Sequence, residues 1–385
     1  MKSRLVLVDG ISGSGKGTHI PYIADFFTKH NYDPFIVREP SDFLRSFIFN
    51  YRRITSHERD PEIEALLFAA DRKHLFRFAL EPILTRESYV VISDRSVMSN
   101  VYQITRGVSI SKILALNEFY PTPDLALIFL CEPEEALRRI EKRARETGTP
   151  VTLEEHVTRI AELKEAYESF ARAVPHFNPK IVNTDGSILA VQYQLRSHLN
   201  NLLGIPMERA VFLDKDGTLV DNSGYPEKIP SDEIYFDQTA EGLRRLQDAG
   251  FKLIIVSSQP WVAQGRLTLE DVERVFKSVV AKYDEKGVKI DRFYYCPHHR
   301  SEDCMCKKPN TGLLEKAVDE FSLDTSRSFM VGDMDVDIKL GRNFGLTTCL
   351  VKTGNGSRYD EKVKPNIVTD DINSFAGTIL RWSIY

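Results

Sequence analysis

Two hydrophobic rhythms alternate along the chain. Short, nearly continuous apolar runs end in turns and give way to segments with helical spacing. RLVLVDG (4–10), DPFIVREP (33–40), YVVISDR (89–95), DLALIFL (124–130) and KIVNTDG (180–186) read as buried parallel strands. Between them, EIEALLFAADRKHLFRFALEPIL (62–84) and PEEALRRIEKRARE (133–146) read as helices. The pattern then starts afresh with AVFLDKDG (210–217), FKLIIVSS (251–258), RFYYC (292–296), SFMVGD (328–333) and TTCLVKTG (347–354). LLGIPMER (202–209), with its Gly-Ile-Pro, is the natural joint. The predicted fold class is α/β, with two doubly wound parallel-sheet domains at 1–204 and 207–385.

Composition narrows the classes. A chain of 385 residues is too long for one ordinary core and suits two domains. Hydrophobic content of 42% and charged content of 28% describe a globular protein. A net charge of -4 gives no overall basic field, so nucleic acid is not an expected partner. No apolar run approaches the ~20 residues of a membrane helix. MKSRLVLVDG enters a strand with no signal-peptide layout, so the expected location is cytoplasmic, with thiols reduced.

DGISGSGKGT (9–18) follows the first strand and contains G-x-x-x-x-G-K from Gly10 to Lys16. Such a loop turns backbone N–H groups onto phosphate oxygens, and the next helix adds its positive end. Gly10, Ser12, Gly13, Ser14, Gly15, Lys16, Gly17 and Thr18 are the expected ATP-binding residues, with Lys16 reaching the β and γ phosphates. Gly17 stands where the full motif has Ser or Thr. The GKGT form resembles that of adenylate kinases.

Three later stretches extend the pattern: REP (38–40), LLFAADR (66–72) and SDRSVMSN (93–100). With the loop they resemble the thymidylate kinase family of nucleoside monophosphate kinases, across nearly all of 1–200. The resemblance implies a P-loop kinase fold, ATP as co-substrate with Mg²⁺, and a homodimer through this domain. It implies that Phe68 stacks on the acceptor base, Arg72 bonds its edge and Asn100 sits nearby. Arg38 would lie at the acceptor, Arg95 would hold its phosphate, and Arg143 and Arg145 would be lid arginines over the transferring group. Four departures touch the acceptor side: Ser12 in place of a carboxylate, Ser41-Asp42 in place of paired glycines, Ser96 in place of a tyrosine, and one residue fewer after Asn100.

In the second half, FLDKDGTLVD (212–221) places Asp214 and Asp216 two apart at a strand end. An aspartate nucleophile needs a partner that protonates the leaving oxygen, and a metal that cancels repulsion with phosphate. Ser257 in IIVSSQ, Lys308 in CKKP and Asp333 in VGDMDVD, with Asp337 behind it, follow at further strand ends. This set resembles the haloacid dehalogenase (HAD) superfamily. Within it, the resemblance is to D-glycero-D-manno-heptose 1,7-bisphosphate phosphatases and histidinol-phosphate phosphatases. It implies a HAD-like Rossmannoid fold with Asp214 as nucleophile, Asp216 as general acid/base, and Ser257 and Lys308 at the phosphoryl group. Mg²⁺ would be held by Asp214, Asp333 and Asp216, the last through its carbonyl.

Cys296, His298, Cys304 and Cys306 form C-x-H-x5-C-x-C. Three thiolates and one imidazole complete a closed, structural Zn²⁺ site, close enough to Lys308 to fix the loop that presents it. The remaining thiols, Cys131 and Cys349, lie in strand-like runs and are expected to be packing residues. The leading expectation is a bifunctional enzyme acting on small molecules. One half would phosphorylate a thymidylate-like monophosphate with ATP; the other would hydrolyse a sugar phosphate or bisphosphate. A polynucleotide kinase-phosphatase, and a phosphatase governed by an inactive nucleotide-sensing module, are the alternatives.

Overall fold

The computed structural model describes residues 1–53, 59–148, 151, 155–221, 234–235, 237–299, 301–358 and 363–382. It resolves into two compact units, Met1–Asp185 and Gly186–Tyr385.

The first unit runs β1 (Arg4–Gly10), α1 (Lys16–Lys29), β2 (Asp33–Arg38), α2 (Arg45–Arg52), α3 (Pro61–Leu75), α4 (Glu81–Leu84) and β3 (Tyr89–Asp94). It continues with α5 (Val101–Ile104), α6 (Ile110–Leu116), β4 (Leu125–Leu130), α7 (Pro133–Thr147), α8 (Val157–Ala173) and β5 (Pro179–Asn183). The five strands form one parallel sheet in the order β2-β3-β1-β4-β5. Leu5, Leu7, Val91, Ala126 and Ile128 carry its core against Ile140, Leu163 and Phe170. The helix predicted over 62–84 starts where Asp60 accepts from the Glu62 and Ile63 amides and Pro61 takes the first turn. It is interrupted by a π turn at Phe76–Leu80.

The second unit opens with α9 (Ile188–Leu203), then β6 (Arg209–Leu213), a ribbon of β7 (Val220–Asp221) and β8 (Ile234–Tyr235), and α10 (Asp237–Asp248). There follow β9 (Phe251–Ser258), α11 (Leu269–Glu285), β10 (Arg292–Cys296), α12 (Gly312–Phe321) and β11 (Phe329–Gly332). α13 (Asp335–Asn343), β12 (Thr347–Val351), β13 (Ile367–Thr369) and α14 (Ile372–Trp382) complete it. The six-stranded parallel sheet has the order β10-β9-β6-β11-β12-β13. The short β7–β8 ribbon and β13 carry no clear strand pattern in the sequence.

The division between the units falls before α9, not at the Gly204-Ile205-Pro206 joint expected from the sequence. α9 is closed at one end by the Ser187 hydroxyl, which accepts from the Ala190 amide, and at the other by Gly204 in the left-handed region. The Gly-Ile-Pro stretch is therefore a helix terminus. Ala190 and Tyr193 pack with Ala210, Phe212, Leu314 and Phe344 in the second unit's core. Tyr193 donates to Asp319, and Ser197 lies 3.0 Å from Thr325 Oγ1. No described helix is long and apolar enough to cross a membrane.

Candidate functional sites

In the first unit, strand register sets the site. Val8 pairs with Asp94, and Arg38 pairs with Asp94 from the other side, so the turns after β1, β2 and β3 open at one edge. Gly10 and Gly13 have positive φ, and a Cβ on either would strike the backbone of β4 or α7. This close approach is what the two glycines permit. Lys16 Nζ is buried and donates to the carbonyls of Gly10 and Ile11, each at 2.7 Å. Burial, helped by Arg95, pulls the Lys16 ammonium down to about 7. Gly17 and Thr18 are exposed at the start of α1.

Arg95 has φ 76, a backbone region that costs a non-glycine residue about 1–3 kcal/mol. Its amide donates to Val8 O at 2.9 Å, which ties it to the strand carrying the loop. Beside it, Asp9 is fully buried and accepts from the hydroxyls of Ser96, Ser99 and Tyr167 at 2.9, 2.8 and 2.6 Å. Three hydroxyls and the Gly10 amide satisfy a carboxylate that would otherwise be costly to bury.

A cavity of about 260 Å³ opens next to Arg95. Arg38, Phe68, Arg72, Arg95 and Asn100, the five acceptor residues expected from the sequence, all line it. Glu39, Arg45, Phe49, Arg52, Ser99, Tyr102 and Gln103 also line it and were not singled out. Arg72 is 1% exposed, and its donors are committed to its own protein. Nε and Nη2 reach Glu39 at 2.9 and 2.7 Å, and Nη1 reaches Asn117 at 2.6 Å and Asn100 at 3.4 Å. Asp71, the residue before it, accepts from the Ser41 amide and hydroxyl and so fixes the turn after β2. The Arg of the LLFAADR stretch thus organises the wall of the cavity. Arg143 is paired with Glu155 at 3.0 Å and Arg145 is exposed; neither lines the cavity.

In the second unit, Asp214, Ser257 and Asp333 sit just past or at the ends of β6, β9 and β11. Lys308 Nζ is buried between two carboxylates, 2.5 Å from Asp214 and 2.7 Å from Asp337. Burial drives the Asp214 carboxyl well above its ordinary range, against the pull of Lys308, with Asp337, Asp333 and Asp216 adding to the rise. Burial likewise pushes Asp333 up to about 6. Asp214, Asp333 and Asp337 each place a carboxylate oxygen within 4.8 Å of the others. Three buried carboxylates facing one lysine are an all-oxygen, net-negative set suited to a hard divalent cation such as Mg²⁺.

The third carboxylate of that cluster is Asp337, not Asp216. The Asp216 side chain is held elsewhere, by Lys215 and by Gln259 Nε2 at 3.0 Å, with Ser257 Oγ at 3.5 Å. A fully buried Gln259 also donates to Ser257 Oγ at 2.9 Å, and its amide donates to Cys296 O at 2.7 Å. Its only sequence signal was its place two residues after Ser257. Asn355, also missed, donates through its amide to Asp333 at 2.7 Å.

The four predicted zinc ligands converge. Cys304 lies 3.7 Å from Cys296 and 3.8 Å from Cys306; His298 Nδ1 lies 3.5 Å from Cys296 and 3.1 Å from Cys306. A tetrahedral zinc with ordinary Zn–S and Zn–N bonds has edges of about 3.8 Å between sulfurs and about 3.5 Å from nitrogen to sulfur. The donor set fits that ion. His299 is bonded to Ser301 and Glu302 and stands outside the set. Cys131 and Cys349 are buried, as expected.

Comparison with known proteins gives each half of the chain its own matches, the first running past Asp185 into α9. Residues 8–194 match the family model of thymidylate kinase, and residues 305–375 match that of HAD-hydrolase-like proteins. The chain is 36% identical to the D-glycero-beta-D-manno-heptose-1,7-bisphosphate 7-phosphatase of Pasteurella multocida (strain Pm70), over 174 residues covering 43% of this chain and 94% of that protein. It is 37% identical to a probable D-glycero-D-manno-heptose-1,7-bisphosphate 7-phosphatase of Thermoplasma acidophilum, covering 36% of this chain and 86% of that one. A solved structure of D,D-heptose 1,7-bisphosphate phosphatase from B. bronchiseptica, complexed with magnesium and phosphate, aligns with TM-score 0.43 and 22% identity, over 46% of this chain and 99% of that one.

Proposed function

The C-terminal unit belongs to the D-glycero-D-manno-heptose-1,7-bisphosphate 7-phosphatase family, and the N-terminal unit carries a thymidylate kinase domain; from that premise we propose how the fused transferase and hydrolase act. The reading is carried by one observation: each unit gathers its charged groups at the carboxyl edge of its own parallel sheet, arginines in one and carboxylates in the other.

In the phosphatase unit, a free oxygen of Asp214 attacks the phosphorus of a small sugar phosphate or bisphosphate. The bond to the leaving oxygen breaks, and Asp216 gives that oxygen its proton. Water, deprotonated by Asp216, then cleaves the aspartyl phosphate and restores Asp214. Lys308 and Ser257 meet the phosphoryl oxygens, and Gln259 keeps Asp216 turned toward the leaving group. Asp214, Asp333 and the Asp216 carbonyl would hold Mg²⁺, with Asp337 turned to Lys308; the ion supplies positive charge that lets two anions meet. Zinc in the Cys296, His298, Cys304 and Cys306 set would hold the segment leading to Lys308.

In the kinase unit, Gly10 to Thr18 cradle the phosphates of ATP and Lys16 swings from the loop carbonyls onto them. Arg95 anchors the acceptor phosphate. An acceptor oxygen attacks the γ phosphorus, the bridge to the β phosphate breaks, and ADP leaves. Thymidylate is the acceptor that the family resemblance suggests. A cytoplasmic location and a homodimer through the kinase unit belong to the same reading.

The test is phosphate release from a panel of sugar mono- and bisphosphates, with and without Mg²⁺, by native and Asp214→Asn protein. Mg²⁺-dependent release by native protein alone supports the phosphatase assignment. Equal release by both proteins removes Asp214 from the mechanism.

A further inference from the structure

In the acceptor cavity of the kinase unit, an arginine lies over the ring expected to stack on a base. The Phe68 ring, the expected stacking platform, has the Arg52 guanidinium over it at 5.8 Å, and the Tyr102 ring meets the same guanidinium at 5.9 Å. A cation between two aromatic faces occupies the place a base would take. Arg52 is anchored there. Its Nε lies 2.8 Å from a carboxylate oxygen of Glu64, which is 2% exposed and also paired with Arg106 at 3.2 Å. The second component of a base reader is absorbed as well, because Arg72 spends its donors on Glu39, Asn117 and Asn100.

What the cavity still offers suits hydroxyls rather than a ring. Arg38, Arg45, Ser99 and Gln103 line it with polar groups; Arg38 reaches Asp94 through Nε alone, Ser99 donates to Asp9 and keeps its oxygen as an acceptor, Arg45 is turned to Pro40 O and Asp42, and Asn100 and Gln103 are joined at 3.1 Å. Its volume of about 260 Å³ falls below the roughly 300–1,000 Å³ common for ligand cavities.

We propose that Arg52 is a specificity residue that closes the base slot, and that the acceptor is a sugar monophosphate rather than a nucleotide. The inference rests on the reading that Arg95 anchors the acceptor phosphate and concerns only the other end of the molecule. A phosphorylated sugar also matches the chemistry of the partner unit, whose relatives are named for a heptose bisphosphate. With its phosphate at Arg95, the acceptor attacks the γ phosphorus through a phosphate oxygen; the bond from that phosphorus to the β-bridging oxygen breaks, ADP leaves, and the product is a sugar diphosphate.

Two measurements on full-length Asp214→Asn protein decide this. The first compares kcat/KM with ATP·Mg²⁺ for hexose and heptose monophosphates against dTMP, dUMP and CMP. The proposal expects the best sugar phosphate to exceed every nucleotide at least about 100-fold; dTMP as the best acceptor overturns it. The second is a calorimetric titration of dTMP into protein with and without Arg52→Ala. Opening the slot is expected to tighten dTMP about ten-fold, the scale of one stacked base. Unchanged or weaker binding overturns the slot. If no acceptor of either class is turned over, the kinase reading fails, and the titration still decides whether Arg52 excludes a base.

Discussion

The two units solve opposite electrostatic problems on similar scaffolds. The kinase unit surrounds its cavity with Arg38, Arg45, Arg52 and Arg95, and has already paired Arg72 with Glu39. The phosphatase unit crowds Asp214, Asp333 and Asp337 around one lysine. Phosphoryl transfer between two anionic substrates needs positive charge in place beforehand. An aspartate nucleophile needs carboxylates that a metal and a lysine can then offset. The difference teaches where each unit is open to change. The phosphatase carboxylates are linked through buried and half-buried bonds to Lys308, Asn355 and Gln259, so few can vary alone. In the kinase unit, Arg52 and Arg72 are tied to Glu64 and Glu39 beside the cavity, and the phosphate loop stands apart from those pairs.

Substitutions can separate the two sites, and the largest effect is expected at the nucleophile. Asp214→Asn should lower phosphomonoester hydrolysis by about 10⁴-fold or more, with ATP-dependent transfer unchanged in a coupled ADP assay. Lys16→Ala should lower transfer about 10³-fold through loss of transition-state charge stabilisation and leave phosphate release unchanged. Stripping zinc with a chelator, or replacing Cys304 by Ser, should lower the melting transition of the phosphatase unit by about 10 °C. The kinase transition should stay in place, as followed by calorimetry. Gln259→Leu should reduce phosphatase kcat about ten-fold, the cost of a mispositioned general acid/base, with KM little changed.

The smallest effect is a protonation signature in the kinase loop. The free Lys16 ammonium is pulled down to about 7, so it is largely neutral at pH 8 and largely charged at pH 6. Bound phosphates favour the charged form. ATP binding should therefore take up close to one proton at pH 8 and almost none at pH 6. Calorimetry in buffers of different ionisation enthalpy reads this directly, and equal uptake at both pH values would contradict the assignment.

Legibility in the sequence followed locality. The Gly10–Lys16 loop and the Cys296–Cys306 ligands are set by short spacings, and the structure brings each together; the Asp214–Asp216 spacing does not foretell that Asp337 joins Asp214 while the Asp216 side chain turns to Lys215 and Gln259. Strands buried on both faces were visible as apolar runs, whereas the two-residue β7 and β8 and the three-residue β13 are too short to show a period. The contact division at Asp185 and the Gly204 joint differ because a helix-ending glycine and a domain linker share one local signature, while the packing of Tyr193 and Ala190 places α9 with the second core. Arg52, Glu39 and Gln259 act through partners far along the chain, or through burial, and neither is written in spacing. Arg143 had the right charge on the right helix, but its partner, Glu155, appears only in the fold.

The central claim is that one chain carries two independent phosphoryl chemistries at two separate sites. The direct test measures ADP formation and phosphate release side by side in native, Asp214→Asn, Lys16→Ala and doubly substituted protein, with one panel of sugar phosphates and nucleotides. The account predicts that each single substitution abolishes one activity and spares the other, and that the double substitution abolishes both. Loss of both activities from either single substitution would contradict it.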